Sequence, residues 1–346
     1  MMIKFLLVCS LLFSVSYAKV PSLEEMIAQM IVIGFDGEKE GDKWVEQIAK
    51  DIRRQKIGGV ILSQKNIQTI SQLKKLTDYL KAQTPQTPLF VALEFDGSKS
   101  IHGFSTIPSA RDMVEKNDVL EAESLYSKHA QELADAGINL NFAPTLDLQS
   151  EKKATQTYSS LEEVVTTYAL MFINALKMKG VMPVVKYFPS AGENIWNDFS
   201  TEATLSSWRF EQLKPYYDLI AFGKMDAILI SHAMCEALDE KNPMLFSSKV
   251  IEILLRQKMH FEGIVFANHL RTNSIANKID FKQRIIRSIN AGVDVFVFPN
   301  YFGDEASMPF TVQRIILEGV RKGELSQKRI ELSYERIIKF KQKMAR

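Results

Sequence analysis

The stretch Ala134-Asp135-Ala136-Gly137-Ile138-Asn139-Leu140-Asn141-Phe142-Ala143 joins the end of one periodicity to the start of another. Upstream of it, over 120–136, apolar residues recur three and four apart, the spacing of a helix with one buried face. Gly137 stands where that helix should stop, since glycine takes up the left-handed backbone that closes many helices. From Ile138 the chain runs through a short segment dominated by apolar residues, which reads as a strand buried on both faces. The unit is helix, glycine, strand.

The same unit recurs along the chain. Strands are expected at 31–35, 59–62, 89–94, 138–143, 182–188, 227–231, 263–268 and 293–299. Helices are expected at 43–55, 67–82, 120–136, 161–179, 206–222, 247–258 and 281–291, with a closing helix at 324–343. Gly58, Gly137, Gly180, Gly223 and Gly292 fall between a helix and the next strand. Buried strands alternating with helices define an α/β protein, and eight units suggest a (β/α)8 TIM barrel; an open doubly wound sheet is the alternative. With no low-complexity linker or compositional break, 19–346 reads as a single domain.

Composition fits that reading. The 346 residues are 46% hydrophobic and 24% charged with 16 Gly and 11 Pro, which excludes disordered, collagen-like and disulfide-scaffold classes. Forty-three basic against 41 acidic side chains give +2, so electrostatics make no case for nucleic acid. Residues 1–18 have the form of a signal peptide: a lone Lys4, an apolar run over 5–15, then Ser16-Tyr17-Ala18 with small residues at the −3 and −1 places. The expectation is an exported protein, periplasmic or secreted, starting at Lys19 and not associated with a membrane once the signal is removed. Cleavage removes Lys4 and Cys9, so the charge falls from +2 to +1 and Cys235 has no intrachain partner. It is expected to be a buried thiol.

In a barrel of this type chemistry sits at the carboxyl ends of the strands. Those ends carry Glu94 and Asp96, Asp147, Lys186, His232, Asn268 and His269, and Asn300, with Glu193 and Asp198 in the loop after the fifth strand. A rim of carboxylates, amides and imidazoles suits a polyhydroxylated ligand, which needs many hydrogen-bond partners on a rigid frame. No metal-ligand spacing, phosphate-cradling glycine loop or dinucleotide fingerprint is present, so neither metal nor cofactor is inferred.

Read in order, several strings resemble landmarks of the glycoside hydrolase family 3 N-terminal barrel. They are Gly58-Gly59-Val60-Ile61-Leu62, Asn141-Phe142-Ala143-Pro144-Thr145-Leu146-Asp147, Lys186-Tyr187-Phe188-Pro189-Ser190-Ala191-Gly192-Glu193, Ser231-His232 and Phe261-Glu262-Gly263-Ile264-Val265-Phe266. The branch resembled is the single-domain β-N-acetylhexosaminidases acting on peptidoglycan fragments. The resemblance implies a sugar-contacting shell of Glu94, Asp147, Lys186 and His232. It also implies a nucleophilic aspartate where this chain has Asn268, and an acid/base where it has Ala191, followed by Glu193. Tyr187 stands where the resemblance implies a histidine, and Gln156 where it implies an arginine.

These departures set the functional expectation. A retaining glycosidase needs a carboxylate nucleophile and a group that first donates and then accepts a proton. A carboxamide lacks the charge and a methyl group lacks the proton. The expected protein is a family 3-like barrel that binds an amino-sugar glycan such as peptidoglycan with little or no hydrolysis. The alternative is an active β-N-acetylhexosaminidase with a shifted set, using Glu193, Asp96 or Glu94, or the substrate's own acetamido group. A purely structural interaction protein with a closed mouth is a third reading. Oligomeric state is not legible.

Overall fold

The computed structural model describes residues 20–84, 87–149, 155–191, 205, 208–267, 270, 279–301 and 307–344. The first helix, α1 (Leu23–Gln29), opens with a capping box in which Ser22 and Glu25 exchange side-chain-to-backbone hydrogen bonds. It leads into β1 (Ile31–Gly34). Then follow α2 (Lys43–Arg53), β2 (Gly59–Leu62), α3 (Ile70–Lys81), β3 (Phe90–Leu93), α4 (Ala110–Lys116), α5 (Val119–Asp135) and β4 (Leu140–Asn141). The second half runs α6 (Glu162–Met178), β5 (Met182–Pro183), β6 (Val185–Phe188), α7 (Lys214–Ala221), β7 (Ala227–Ile230), α8 (Lys249–Lys258, wound as a π-helix), β8 (Ile264–Ala267), α9 (Phe281–Ala291), β9 (Val295–Phe298), α10 (Met308–Arg321) and α11 (Gln327–Met344).

All strand pairs are parallel, in the order β5-β4-β3-β2-β1-β9-β8-β7-β6. The two ends of that order are one stretch of chain. Residues 182–188, expected as a single strand, divide at Val184: the first half pairs with β4 and the second with β7. The backbone bonds Val184 N to Asn141 O (2.8 Å) and Lys186 N to Pro144 O (2.9 Å) carry the seam across. The result is a nearly closed α/β barrel, as expected, with its fifth strand split in two.

Every strand residue except the partly buried Ile61 is buried, as parallel sheets wrapped by helices require. Inside, Phe90 of β3 meets Phe266 of β8 edge-on at 6.1 Å, and Phe266 meets Phe142 beyond β4 at 5.4 Å. These contacts link β3, β8 and the chain leaving β4 through one aromatic cluster. Gly137 has φ +78°, and a Cβ there would lie 2.1 Å from Thr77 Oγ1, so the turn into β4 excludes any side chain.

Several boundaries differ from expectation. The helix expected over 206–222 is confined to α7, preceded by a tight 3₁₀ turn at Phe210–Leu213; Pro215 lies in the first turn of α7, where its missing amide costs nothing. Helices α1, α4 and α10 were not expected. Two of them have seven residues, too few for the periodicity to show. Among the described residues no helix is long and apolar enough to cross a membrane.

Candidate functional site

Strand β3 ends in Glu94, and β6 contains Lys186 and Tyr187. The register brings them together: Lys186 Nζ donates to Glu94 Oε1 at 2.5 Å, and Tyr187 Oη donates to the same oxygen at 3.3 Å. The lysine side chain is 7% exposed and the glutamate 39%, so a buried ammonium holds a carboxylate that still faces solvent at the mouth. Burial disfavours the ammonium form, but the Glu94 carboxylate outweighs it and holds Lys186 above its ordinary pKa. Burial and then Glu94 push the Tyr187 phenol up as well, so it stays a donor. Tyr216 Oη in turn donates to Tyr187 O at 2.6 Å and fixes the strand behind the pair.

Asp147 lies below the rim. It is buried, and its Oδ2 accepts from the Ala191 amide at 2.8 Å, while no hydrogen bond reaches Oδ1. Burial pushes its pKa up to about 7, against the amide of Ala191, the Ser190 hydroxyl and the Lys186 charge, which all act to lower it. In this arrangement Asp147 ties the chain leaving β4 to the chain leaving β6. The Ala191 methyl is fully buried within the main hydrophobic cluster. His232 is buried in the turn leaving β7. Asn268 and Glu193 lie outside the described residues.

Four of the singled-out residues are therefore joined in two pairs, Glu94 with Lys186 and Asp147 with Ala191. Sequence reasoning missed the group that fixes the first pair. Asn141, fully buried at the end of β4, donates from Nδ2 to Phe95 O (2.8 Å) and accepts on Oδ1 from Phe95 N (3.1 Å). A carboxamide set in an apolar strand was the available signal. Among the described residues no group of three or more His, Cys, Asp or Glu could hold a metal ion.

The Glu94–Lys186 pair stands at the carboxyl end of a parallel barrel, where such folds place their chemistry. Residues 22–340 match the glycosyl hydrolase family 3 N terminal domain, and the chain belongs to that family. The beta-hexosaminidase of Tolumonas auensis is 30% identical over 263 residues, covering 72% of this chain and 77% of that protein. Beta-hexosaminidase A of Pseudoalteromonas piscicida is 25% identical over 330 residues, and the chain spans 55% of its length.

Solved structures agree on the fold. A family 3 β-N-acetylglucosaminidase from a Paenibacillus species superposes with a TM-score of 0.84 at 24% identity, over 94% of this chain and 63% of that one. The β-N-acetylhexosaminidase of Beutenbergia cavernae gives 0.81 at 21% identity, over 93% and 99%.

Proposed function

We propose that the protein is exported and binds amino-sugar glycans, peptidoglycan strands among them, at the barrel mouth, with little or no hydrolysis. The observation that carries the binding reading is the Glu94 carboxylate, fixed by buried Lys186 yet 39% exposed. A carboxylate held in that way accepts hydrogen bonds from paired sugar hydroxyls without first losing rotamer freedom. The family's curated relatives named beta-hexosaminidase support an amino-sugar as the ligand class.

The loss of turnover follows from residue chemistry. Asn268 has no negative charge to offer an oxocarbenium-like centre, and Ala191 no proton to offer a leaving group. Nucleophile and acid/base act as a unit, so removal of both leaves binding and residual electrostatics.

The test pairs a chromogenic N-acetyl-β-glucosaminide assay with calorimetric titration by peptidoglycan fragments. Saturable heat with hydrolysis no faster than a heat-killed control is expected. Turnover near the usual enzymatic range of about 1 to 10³ s⁻¹ overturns the non-hydrolytic part, and absence of saturable binding overturns the glycan-binding part.

A further inference from the structure

At the opposite end of the barrel the closing helix sends a lysine into the floor. Lys341 of α11 is 1% exposed and is among the largest fully buried side chains. Its Nζ donates to Gln29 Oε1 at the end of α1 and to Gly58 O just before β2, both at 2.7 Å, and lies 4.2 Å from the centre of the Phe90 ring in β3. One amine thus spans the entries of three consecutive strands. Its neighbour Phe340 packs edge-on against the same Phe90 ring at 5.9 Å.

We propose that Lys341 makes α11 a pH-sensitive latch on the barrel floor, docked while the amine is neutral and loosened when it takes a proton. All three of its partners are uncharged, so nothing close by compensates an ammonium there. The charged groups on the packed elements are engaged elsewhere. On α1, Glu24 is exposed, and Glu25 caps its own helix through Ser22 and faces Tyr334. Before β2, Lys56 is exposed. Strand β3 brings no titratable side chain within 90–93. On α11 itself Lys339 pairs with Glu262, Lys343 with Asp226 and Arg336 with buried Asp294.

Two carbonyl-type acceptors and a ring face are good partners for an amine, yet a lone buried cation loses far more hydration than such contacts return. Burial accordingly pulls the lysine well below its ordinary pKa. Protonation then favours states in which α11 lifts and Nζ reaches water. The contact of Phe90 with Phe266 places the floor in packed contact with the strand that ends next to Asn268. Movement of α11 therefore acts on a rigid core, not on a free tail.

The test is amide hydrogen exchange on the whole protein between pH 9 and pH 6, corrected for the intrinsic rate, in wild type and Lys341→Met. Methionine keeps the length and apolar stem without the charge. Wild-type protection over 327–344 is expected to fall by tenfold or more relative to α5 as the pH drops, and the variant's to stay flat. Parallel profiles in the two proteins overturn the proposal. Should the variant not fold, ¹³Cε titration of Lys341 in wild type decides it: a midpoint near the ordinary lysine value, about 10.4, overturns the latch, and one below 9 supports it.

Discussion

The side chain of Asn141 pairs with the backbone of Phe95 as a neighbouring strand would, one hydrogen bond in each direction, at 2.8 and 3.1 Å. Strand β4 is only two residues long, so this carboxamide continues the ladder where the backbone has turned away. It fixes Phe95, and Phe95 carries Glu94 on one side and Asp96 on the other.

Asn141→Ala is therefore expected to leave a buried amide and a buried carbonyl without partners, at a cost of about 2 to 5 kcal/mol. Asn139 makes the equivalent clamp at the other end of the strand, to Val91 N and Leu89 O, both at 2.8 Å, in a position partly open to water. Water can replace that clamp, so Asn139→Ala should cost clearly less. Urea denaturation of the two variants checks the order, and equal losses would contradict it.

Asp147 gives a pH dependence with a definite sign. Burial raises its folded pKa to about 7, well above the ordinary carboxylate range. The folded state thus holds the proton more tightly than the unfolded chain. The stabilisation is full below pH 4, falls as pH rises from 4 to 7, and is gone above. A difference of about 3 units sets an upper bound of about 4 kcal/mol. Asp147→Asn, neutral at every pH with an oxygen still able to accept from Ala191, should flatten the stability profile between pH 4 and 7. An unchanged slope in the variant would show that other groups carry the effect.

How much of this was legible follows from what periodicity can and cannot encode. The strand–helix alternation around Gly137 contained the barrel, because burial on two faces leaves a signature in every strand. The split at Val184 left a weaker mark: Pro183 cannot donate to a ladder, but which neighbour each half pairs with is decided only by the hydrogen bonds. At the site, the residue types at the strand ends were readable, and Glu94 and Lys186 do meet. Their pairing was not readable, for they lie 92 positions apart. The burial of Ala191 was equally hidden: alanine fits a loop or a core, and only its neighbours decide.

The Glu94–Lys186 pair is lopsided, and that asymmetry is testable. Glu94→Gln leaves the ammonium 7% exposed without the carboxylate that hydrogen-bonds it, and breaking one side of a buried pair typically costs about 3 to 5 kcal/mol. Lys186→Met leaves a carboxylate that water already reaches and replaces the lysine stem with a similar volume. The glutamate variant should therefore be the less stable by at least about 1 kcal/mol, while both lose glycan affinity. A larger loss from Lys186→Met would mean that the lysine stabilises the barrel mainly through packing.

The last prediction concerns reconstruction of turnover. Asn268→Asp restores an anion at the position the family resemblance gives to the nucleophile. Ala191→His would restore a titratable group at the position given to the acid/base, but the Ala191 methyl is fully buried and its amide is held by Asp147. An imidazole built there enters filled space, and overpacking of this kind costs about 1 to 3 kcal/mol. Ala191→His is thus expected to lower the melting temperature by several degrees without placing a proton carrier at the mouth. The double variant should hydrolyse a chromogenic N-acetyl-β-glucosaminide no faster than Asn268→Asp alone. Turnover confined to the double variant would show that residue 191 can turn its side chain outward. Activity of wild type equal to that of the double variant would instead assign the work to another carboxylate, with Glu193 and Asp96 the first to substitute by their amides.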